Sequence, residues 1–225
     1  MMGTSAAVAA EQVASHQMHT DQPSAEHNPT ALTIAVLVGS VRSDRFCTAP
    51  AAWITQQVRK REGLEADLID LADYDLPTDV GGDDPEAMPP ERVTRLGERL
   101  GRADAFIVVT PVYNRTYPAS IKTAIDHFYT EWQLKPVGFV SYGASTGGLQ
   151  AIDALRDVFT EFHAVTLRDA ITFANFWESF DHDGRPVDVE GTDRLADGVL
   201  DQLNWWATTL REARTARPYP FGGTQ

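Results

Sequence analysis

The chain has 225 residues, of which 43% are apolar and 23% charged, and its formal net charge is −13. This acidic balance argues against a nucleic-acid or anionic-membrane partner, because both are bound through basic patches. The single cysteine, Cys47, allows no internal disulfide and no zinc site, and it fits a reducing cytoplasm. No apolar run approaches the roughly 20 residues of a membrane span.

Residues 1–30 contain no Lys or Arg and no unbroken apolar segment, so they do not have the pattern of a signal peptide. We interpret 1–30 as a flexible tail, 31–213 as one domain and 214–225 as a C-terminal tail. His16, His19 and His27 lie in the first tail, where solvation is a better interpretation of scattered histidines than metal binding. We predict no metal site.

The first half of the domain alternates between strands and helices. LTIAVLVGS at 32–40 is a nearly continuous apolar run, typical of a strand buried on both faces. A helix with Pro50 in its first turn ends at Gly63. The elements that follow are a strand at 64–71, a polar loop at 72–90, a charged helix at 91–103 and a buried strand at 105–110.

The second half continues this alternation. A helix opens with Pro118 just inside it, and four apolar residues at spacings of four, three and four predict one buried face: Ile121, Ile125, Phe128 and Trp132. A strand at 135–143, a helix at 147–162 and a strand at 164–173 come next. The last helix has Thr192 as its predicted cap and an apolar stripe of Leu195, Val199, Leu203, Trp206 and Leu210. For Trp205 and Trp206, core and interface packing is the preferred interpretation.

Five repeats of strand and helix predict an α/β fold with a parallel sheet covered on both faces. Five strands favour the flavodoxin-like doubly wound sheet, of order 2-1-3-4-5, in a three-layer αβα arrangement. In that topology ligands bind at the carboxyl ends of strands 1 and 3.

Three loops are expected to meet at that edge. GSVRSDRFC at 39–47 offers hydroxyls, two arginines and a following helix N-terminus, which together suit a phosphate; a solvated loop is the alternative. TPVYN at 110–114 has a stiff turn, an aromatic residue and an asparagine, and it suits a flat ring; a structural turn is the alternative. SYGASTGG at 141–148 has small residues that allow a close backbone approach.

These loops resemble the NADPH-dependent FMN reductase family of flavodoxin-like proteins. The motifs that carry the resemblance are GSVR (39–42), TPVYN (110–114) with YPASIKTAID (117–126), and SYGASTGG (141–148). The resemblance covers about residues 32–175. The chain departs from many relatives at 43–47, where it reads SDRFC, and we expect Asp44 to point to solvent.

The resemblance implies a non-covalent FMN and NAD(P)H as co-substrate. The phosphate would lie on Ser40, Arg42 and the segment Arg45, Phe46 and Cys47. The isoalloxazine would lie against the backbone of Pro111, Val112, Tyr113 and Asn114, with Ser141, Tyr142, Gly143 and Ala144 on its other side. The resemblance also implies a homodimer or homotetramer. Supplying reduced flavin to a partner monooxygenase is an attractive role for such a protein.

The implied reaction is hydride transfer from nicotinamide to flavin N5, followed by two-electron reduction of a flavin, quinone or similar acceptor. The flavin carries this chemistry, so we name no catalytic side chain; Tyr113 is a candidate platform for the nicotinamide. The alternatives are an FMN-binding electron carrier or redox sensor without robust turnover. A receiver domain is disfavoured, because it needs an acidic pair where this chain has Gly39 and Ser40.

Overall fold

The computed structural model describes residues 31–80 and 88–220. The predicted tail at 1–30 therefore lies outside the described residues, as does part of the polar loop at 72–90. The strands are β1 Leu32–Val38, β2 Leu64–Asp70, β3 Ala105–Pro111, β4 Pro136–Tyr142, β5 Val165–Thr166 and β6 Ile171–Phe173. The helices are α1 Thr48–Arg59, α2 Glu91–Arg102, α3 Ala119–Asp126, α4 Leu149–Glu161, α5 Phe176–Ser179 and α6 Val189–Ala216, and a 3₁₀ turn follows β2 at Leu71–Asp73.

The strands form one parallel sheet of order β2-β1-β3-β4-β5, with β6 also paired to β4. This confirms the predicted flavodoxin-like order. Every residue of β3 and β4 is buried, as the uninterrupted apolar runs predict.

Two apolar clusters lie on opposite faces of the sheet and define its three layers. One face packs against α1 and α6 through side chains such as Ile54 and Leu203. The other packs against α2, α3 and α4 through side chains such as Leu96, Ile125 and Phe159.

The predicted single strand at 164–173 is wrong, because it is two short strands. Thr166 pairs with Val137 and Ile171 pairs with Val140. The outer chain therefore advances five residues while β4 advances three, and the extra residues cannot stay in the ladder. They form a bend in which the Arg156 guanidinium satisfies carbonyls of the outer chain.

The long apolar face predicted after Pro118 is only partly helical. Pro118 precedes the first helical residue, and α3 ends at Asp126. Phe128 and Trp132 lie in the turns that follow, where i→i+3 hydrogen bonds replace the helix. Trp132 is nevertheless fully buried beside Phe106, with ring centroids 4.7 Å apart, so the spacing identified a core residue through a different local structure.

The predicted start of α6 at Thr192 is also wrong. The cap is Asp188, whose side chain accepts a hydrogen bond of 2.9 Å from the amide of Gly191. Leu195 is 53% exposed, whereas Val199 and Leu203 are buried as predicted. Trp206 packs against the α1 and α6 cluster, but Trp205 is 60% exposed and does not belong to the core.

Candidate functional site at the carboxyl edge of the sheet

The sheet brings the three predicted loops to one edge. Val38 of β1 pairs with Val109 of β3, and Thr110 pairs with Ser141 of β4, so these parallel strands end side by side. We refer to the first loop (39–47), the second loop (111–118) and the third loop (141–148). The second and third loops are joined by a hydrogen bond of 3.3 Å from the Val112 amide to the Tyr142 carbonyl.

The first and second loops meet through Ser40 and Tyr113. Ser40 is buried, and its hydroxyl lies 2.8 Å from the hydroxyl of Tyr113. The exposed guanidinium of Arg42 lies over the Tyr113 ring, 5.5 Å from its centroid. Tyr113 therefore contacts both the serine and the arginine of the first loop. Asp44 is exposed, as expected.

Arg45 of the first loop forms an ion pair that the sequence analysis missed. One guanidinium nitrogen lies 2.6 Å from a carboxylate oxygen of Asp70, at the end of β2, and both side chains are about four-fifths buried. Burial opposes the charge on Arg45, but the hydrogen bond and attraction of Asp70 outweigh it and raise the pKa of Arg45. The Nε atom of Arg45 is buried and has no hydrogen-bond partner within the described residues. A donor in this position is one that a ligand oxygen can satisfy.

Phe46, Cys47 and Tyr142 form the floor of the site. The ring of Phe46 lies 5.3 Å from that of Tyr142 and 4.7 Å from that of Phe176. Cys47 is fully buried, its thiol is 3.8 Å from the Ser40 carbonyl, and burial raises its pKa. Burial likewise raises the pKa of Tyr142. The side chains of Cys47 and Tyr142 are buried, so any ligand contact that they make is through the main chain, whereas Phe46 is only partly buried.

The second loop contains a tight turn with two left-handed residues. The amides and carbonyls of Tyr113 and Thr116 exchange hydrogen bonds of 2.7 and 3.1 Å. Between them, Asn114 has φ of 48° and Arg115 has φ of 74°. Two central residues with positive φ make this a type I′ turn. Asparagine tolerates such geometry, whereas arginine does so less readily, and the sequence analysis gave Arg115 no role.

The third loop folds back on itself. The hydroxyl of Ser141 is buried and donates to the Gly147 carbonyl at 2.6 Å. Gly148 has φ of 90°, and a Cβ there would lie 2.9 Å from the Cβ of Ser141, so only glycine fits. Gly143 is hydrogen-bonded at both ends, donating to Phe173 and accepting from Phe176. Ala144 is exposed at the rim of the site.

The edge can therefore hold an anion next to a planar group. The cation Arg42, the unpartnered Nε of Arg45 and the start of α1, which has no side-chain cap, converge on the first loop. The second and third loops add main-chain groups beside it. Within 31–80 and 88–220 no group of three or more His, Cys, Asp or Glu side chains is arranged to hold a metal ion. His16, His19 and His27 lie outside these ranges.

None of the helices in the described part of the chain has both the length and the apolar character to cross a bilayer.

Comparison with known proteins agrees with the family resemblance found in the sequence. Residues 32–178 match the family described as NADPH-dependent FMN reductase. The chain is 37% identical over 122 residues to an NAD(P)H-dependent FMN reductase of Schizosaccharomyces pombe, an alignment that covers 51% of this chain and 60% of that relative. The chain thus spans less than two thirds of that relative's length.

Two further similarities cover more of the other protein. A quinone reductase of Pseudomonas putida is 30% identical over 147 residues, with 61% of this chain and 76% of that protein covered. The solved structure of a flavoenzyme NAD(P)H:(acceptor) oxidoreductase from Paracoccus denitrificans matches with a TM-score of 0.64 at 30% identity. That match covers 79% of this chain and 98% of that one.

Proposed function

The chain belongs to the NADPH-dependent FMN reductase family, and we propose that it is an FMN-dependent NAD(P)H oxidoreductase. The observation that carries the proposal is the first loop, where the buried Nε of Arg45 has no partner within the described residues and the side chain of Arg42 is exposed. A phosphate oxygen satisfies the first group and is attracted by both. The chain's residues therefore fit the phosphate of FMN.

We propose that Ser40, Arg42 and Arg45 hold this phosphate, together with main-chain amides of Phe46 and Cys47. Arg45 is restrained by Asp70, so its guanidinium is already oriented when the ligand arrives. Arg42 is more exposed and adds charge without a comparable restraint.

We propose that the ring system lies against the main chain of Pro111 to Asn114, with Ser141 to Ala144 on its other side. When bound, FMN supplies the two-electron chemistry, taking a hydride from NAD(P)H at N5 and passing electrons to an acceptor. The chain's part is to bind and orient the ring, and its main-chain amides stabilise negative charge at the ring edge. No side chain of this site needs to act as an acid or base.

We propose a flavin, a quinone or a similar small molecule as the acceptor. The similarity to the Pseudomonas putida quinone reductase supports this class. An electron carrier or redox sensor is less well supported, because the relatives reported above are named for reductase or oxidoreductase activity.

The test is a visible absorption spectrum of the purified protein after incubation with FMN and desalting, followed by anaerobic addition of NADPH or NADH. Retained yellow colour that bleaches with either nucleotide is the expected result. Retained colour that neither nucleotide bleaches would favour a carrier or sensor. Loss of all flavin on desalting, together with no FMN reduction in steady state, would refute the proposed function.

Four further features are proposed from the sequence and the resemblance. They are a domain over 31–213 between the two tails, a homodimer or homotetramer, a cytoplasmic location and a partner monooxygenase. Light scattering coupled to size exclusion, with and without FMN, tests the oligomeric state.

A further inference from the structure

Arg115 occupies an unusual backbone position in the second loop. It is the second central residue of the type I′ turn between Tyr113 and Thr116, with φ of 74°. Glycine is the favoured residue there, because a side chain on left-handed backbone is strained. The chain thus places a long cationic side chain where a glycine would fold more easily. Such outliers are concentrated at functional sites.

The Arg115 side chain is available to a ligand. It is exposed, and it makes no hydrogen bond or ion pair with any residue of 31–80 or 88–220. Arg42 lies over the Tyr113 ring and Arg45 pairs with Asp70, and both belong to the first loop, which suits the FMN phosphate. Arg115 is therefore a separate cation at the same edge, in a chain whose net charge is −13.

We propose that Arg115 binds a phosphate group of the nicotinamide dinucleotide and thereby selects a phosphorylated hydride donor. This proposal rests on the proposed function. The nicotinamide must reach the flavin ring, which we assign to the main chain of Pro111 to Asn114, and Arg115 is the next residue along. The dinucleotide carries a pyrophosphate beyond its nicotinamide, and NADPH carries a further 2′-phosphate. A guanidinium binds such oxygens through two parallel hydrogen bonds.

The turn itself fixes the point from which the Arg115 side chain extends. Its two hydrogen bonds fix the backbone on both sides of Arg115, so the Cα–Cβ bond has a defined direction. This restraint lowers the backbone entropy that must be lost when a phosphate binds. The strain of the left-handed residue is then explained as the consequence of placing a cation at this point of the edge.

The test compares Arg115→Gly and Arg115→Lys with Arg102→Ala. Arg102 is exposed at the end of α2, away from the three loops, and its replacement removes the same charge. Three donors are used with the FMN-loaded protein: NADPH, NADH and uncharged 1-benzyl-1,4-dihydronicotinamide. Binding of unreactive NADP⁺ is measured by calorimetry, which does not depend on turnover.

In Arg115→Gly we expect KM for the phosphorylated donor and Kd for NADP⁺ to rise about 5- to 20-fold, with kcat within twofold. KM for the uncharged donor should not change, and FMN retention should equal that of the wild type. The melting temperature should rise by roughly 2–4 °C, because glycine relieves the strain. Arg115→Lys should recover part of the affinity, and Arg102→Ala should leave all of these quantities unchanged.

The donors distinguish the phosphate that is bound. If Arg115→Gly raises KM equally for NADH and NADPH, Arg115 binds the pyrophosphate. If KM rises for NADPH alone, Arg115 binds the 2′-phosphate. Both results support the proposal. An unchanged KM for both nucleotides, an equal loss with the uncharged donor, a loss of FMN or a change in oligomeric state would each overturn it. A wild type that neither retains FMN nor is reduced by either nucleotide overturns the proposed function and this proposal together.

Discussion

Gly39 is the residue at which an added methyl group should most directly disturb the first loop. A Cβ built there would lie 2.3 Å from Cδ1 and 2.6 Å from Cγ1 of Ile121, and 3.1 Å from the Val109 carbonyl oxygen. Ile121 is fully buried in α3, so it has little room to move. We expect Gly39→Ala to lower the free energy of unfolding by about 1–3 kcal/mol, as overpacking does. A loss of about 2 kcal/mol in the free energy of unfolding corresponds to a fall in the melting temperature of roughly 4–8 °C.

The same substitution should weaken FMN binding. The Gly39 carbonyl accepts a 2.5 Å hydrogen bond from the Ser120 hydroxyl, and its amide donates to Val109, so a displaced Gly39 also moves Ser40. Desalting the FMN-loaded variant and measuring retained flavin tests this effect.

Gly101→Ala is the matched control, because a Cβ there meets nothing within 4 Å. It lies in α2, where alanine is favoured over glycine, and we expect the free energy of unfolding to rise by about 0.5–1 kcal/mol.

A second variant tests the contact with Ile121 directly. Ile121→Val removes the Cδ1 atom and should lower the free energy of unfolding by about 0.5–1.5 kcal/mol alone, but by less in the Gly39→Ala background. Urea denaturation of the wild type, Gly39→Ala, Ile121→Val and the double variant measures this coupling. A Gly39→Ala protein as stable as the wild type, with full FMN retention, would refute the close-packing argument.

Three other predictions use separate parts of the chain. Arg42→Ala should raise the Kd for FMN about fivefold, a modest effect because the guanidinium is exposed, and flavin fluorescence titration measures it. Burial lowers the pKa of Lys135 from 10.5 to about 8, so between these values the unfolded chain binds more protons and stability rises with pH. Urea denaturation measures the free energy of unfolding of the wild type and of Lys135→Gln at pH 7.5 and at pH 10. The difference between the two proteins should shift in favour of the wild type by roughly 2–3 kcal/mol over this range. A difference in free energy that does not change with pH would contradict this prediction. Deletion of 1–28, a polar segment by its composition, should leave the melting temperature within about 2 °C, and a larger loss would count against the domain limits proposed here.

The order of the sheet could be predicted because its evidence is spread over many residues. Each central strand is an apolar run, each connection has a helical pattern, and the handedness of crossovers leaves few topologies. The three loops followed from that order, since parallel strands end at the same edge. The errors fall where one residue decides the outcome. Asp188 rather than Thr192 begins α6, and both are residues that favour a cap.

The sequence analysis missed two features of the site, the long-range ion pair of Arg45 and Asp70 and the backbone conformation of Arg115. Asp70 pairs with Arg45 across 25 positions of the chain, and only the sheet places the end of β2 beside the first loop. One sequence signal does exist, because Asp70 ends a strand that neighbours the arginine-bearing loop in the predicted order. Arg115 gives no such signal, since its backbone angle depends on the hydrogen bonds between Tyr113 and Thr116.

The placement of the cations is consistent with the proposal that so acidic a chain binds the phosphates of FMN and NAD(P)H. Charges separated by more than about 8–10 Å are largely screened at physiological salt, so local groups decide the affinity of the site rather than the net charge. Arg45 is partly buried and oriented by Asp70, which offsets its charge but leaves Nε as a directed donor. Arg42 and Arg115 are exposed, Arg42 over the Tyr113 ring and Arg115 in the turn that follows Tyr113. A restrained donor suits a ligand that stays bound through many turnovers, whereas an exposed cation suits one that must arrive and leave in each. The division between Arg45 and Arg115 therefore matches the roles proposed for them, with FMN held by the first and NAD(P)H exchanging at the second.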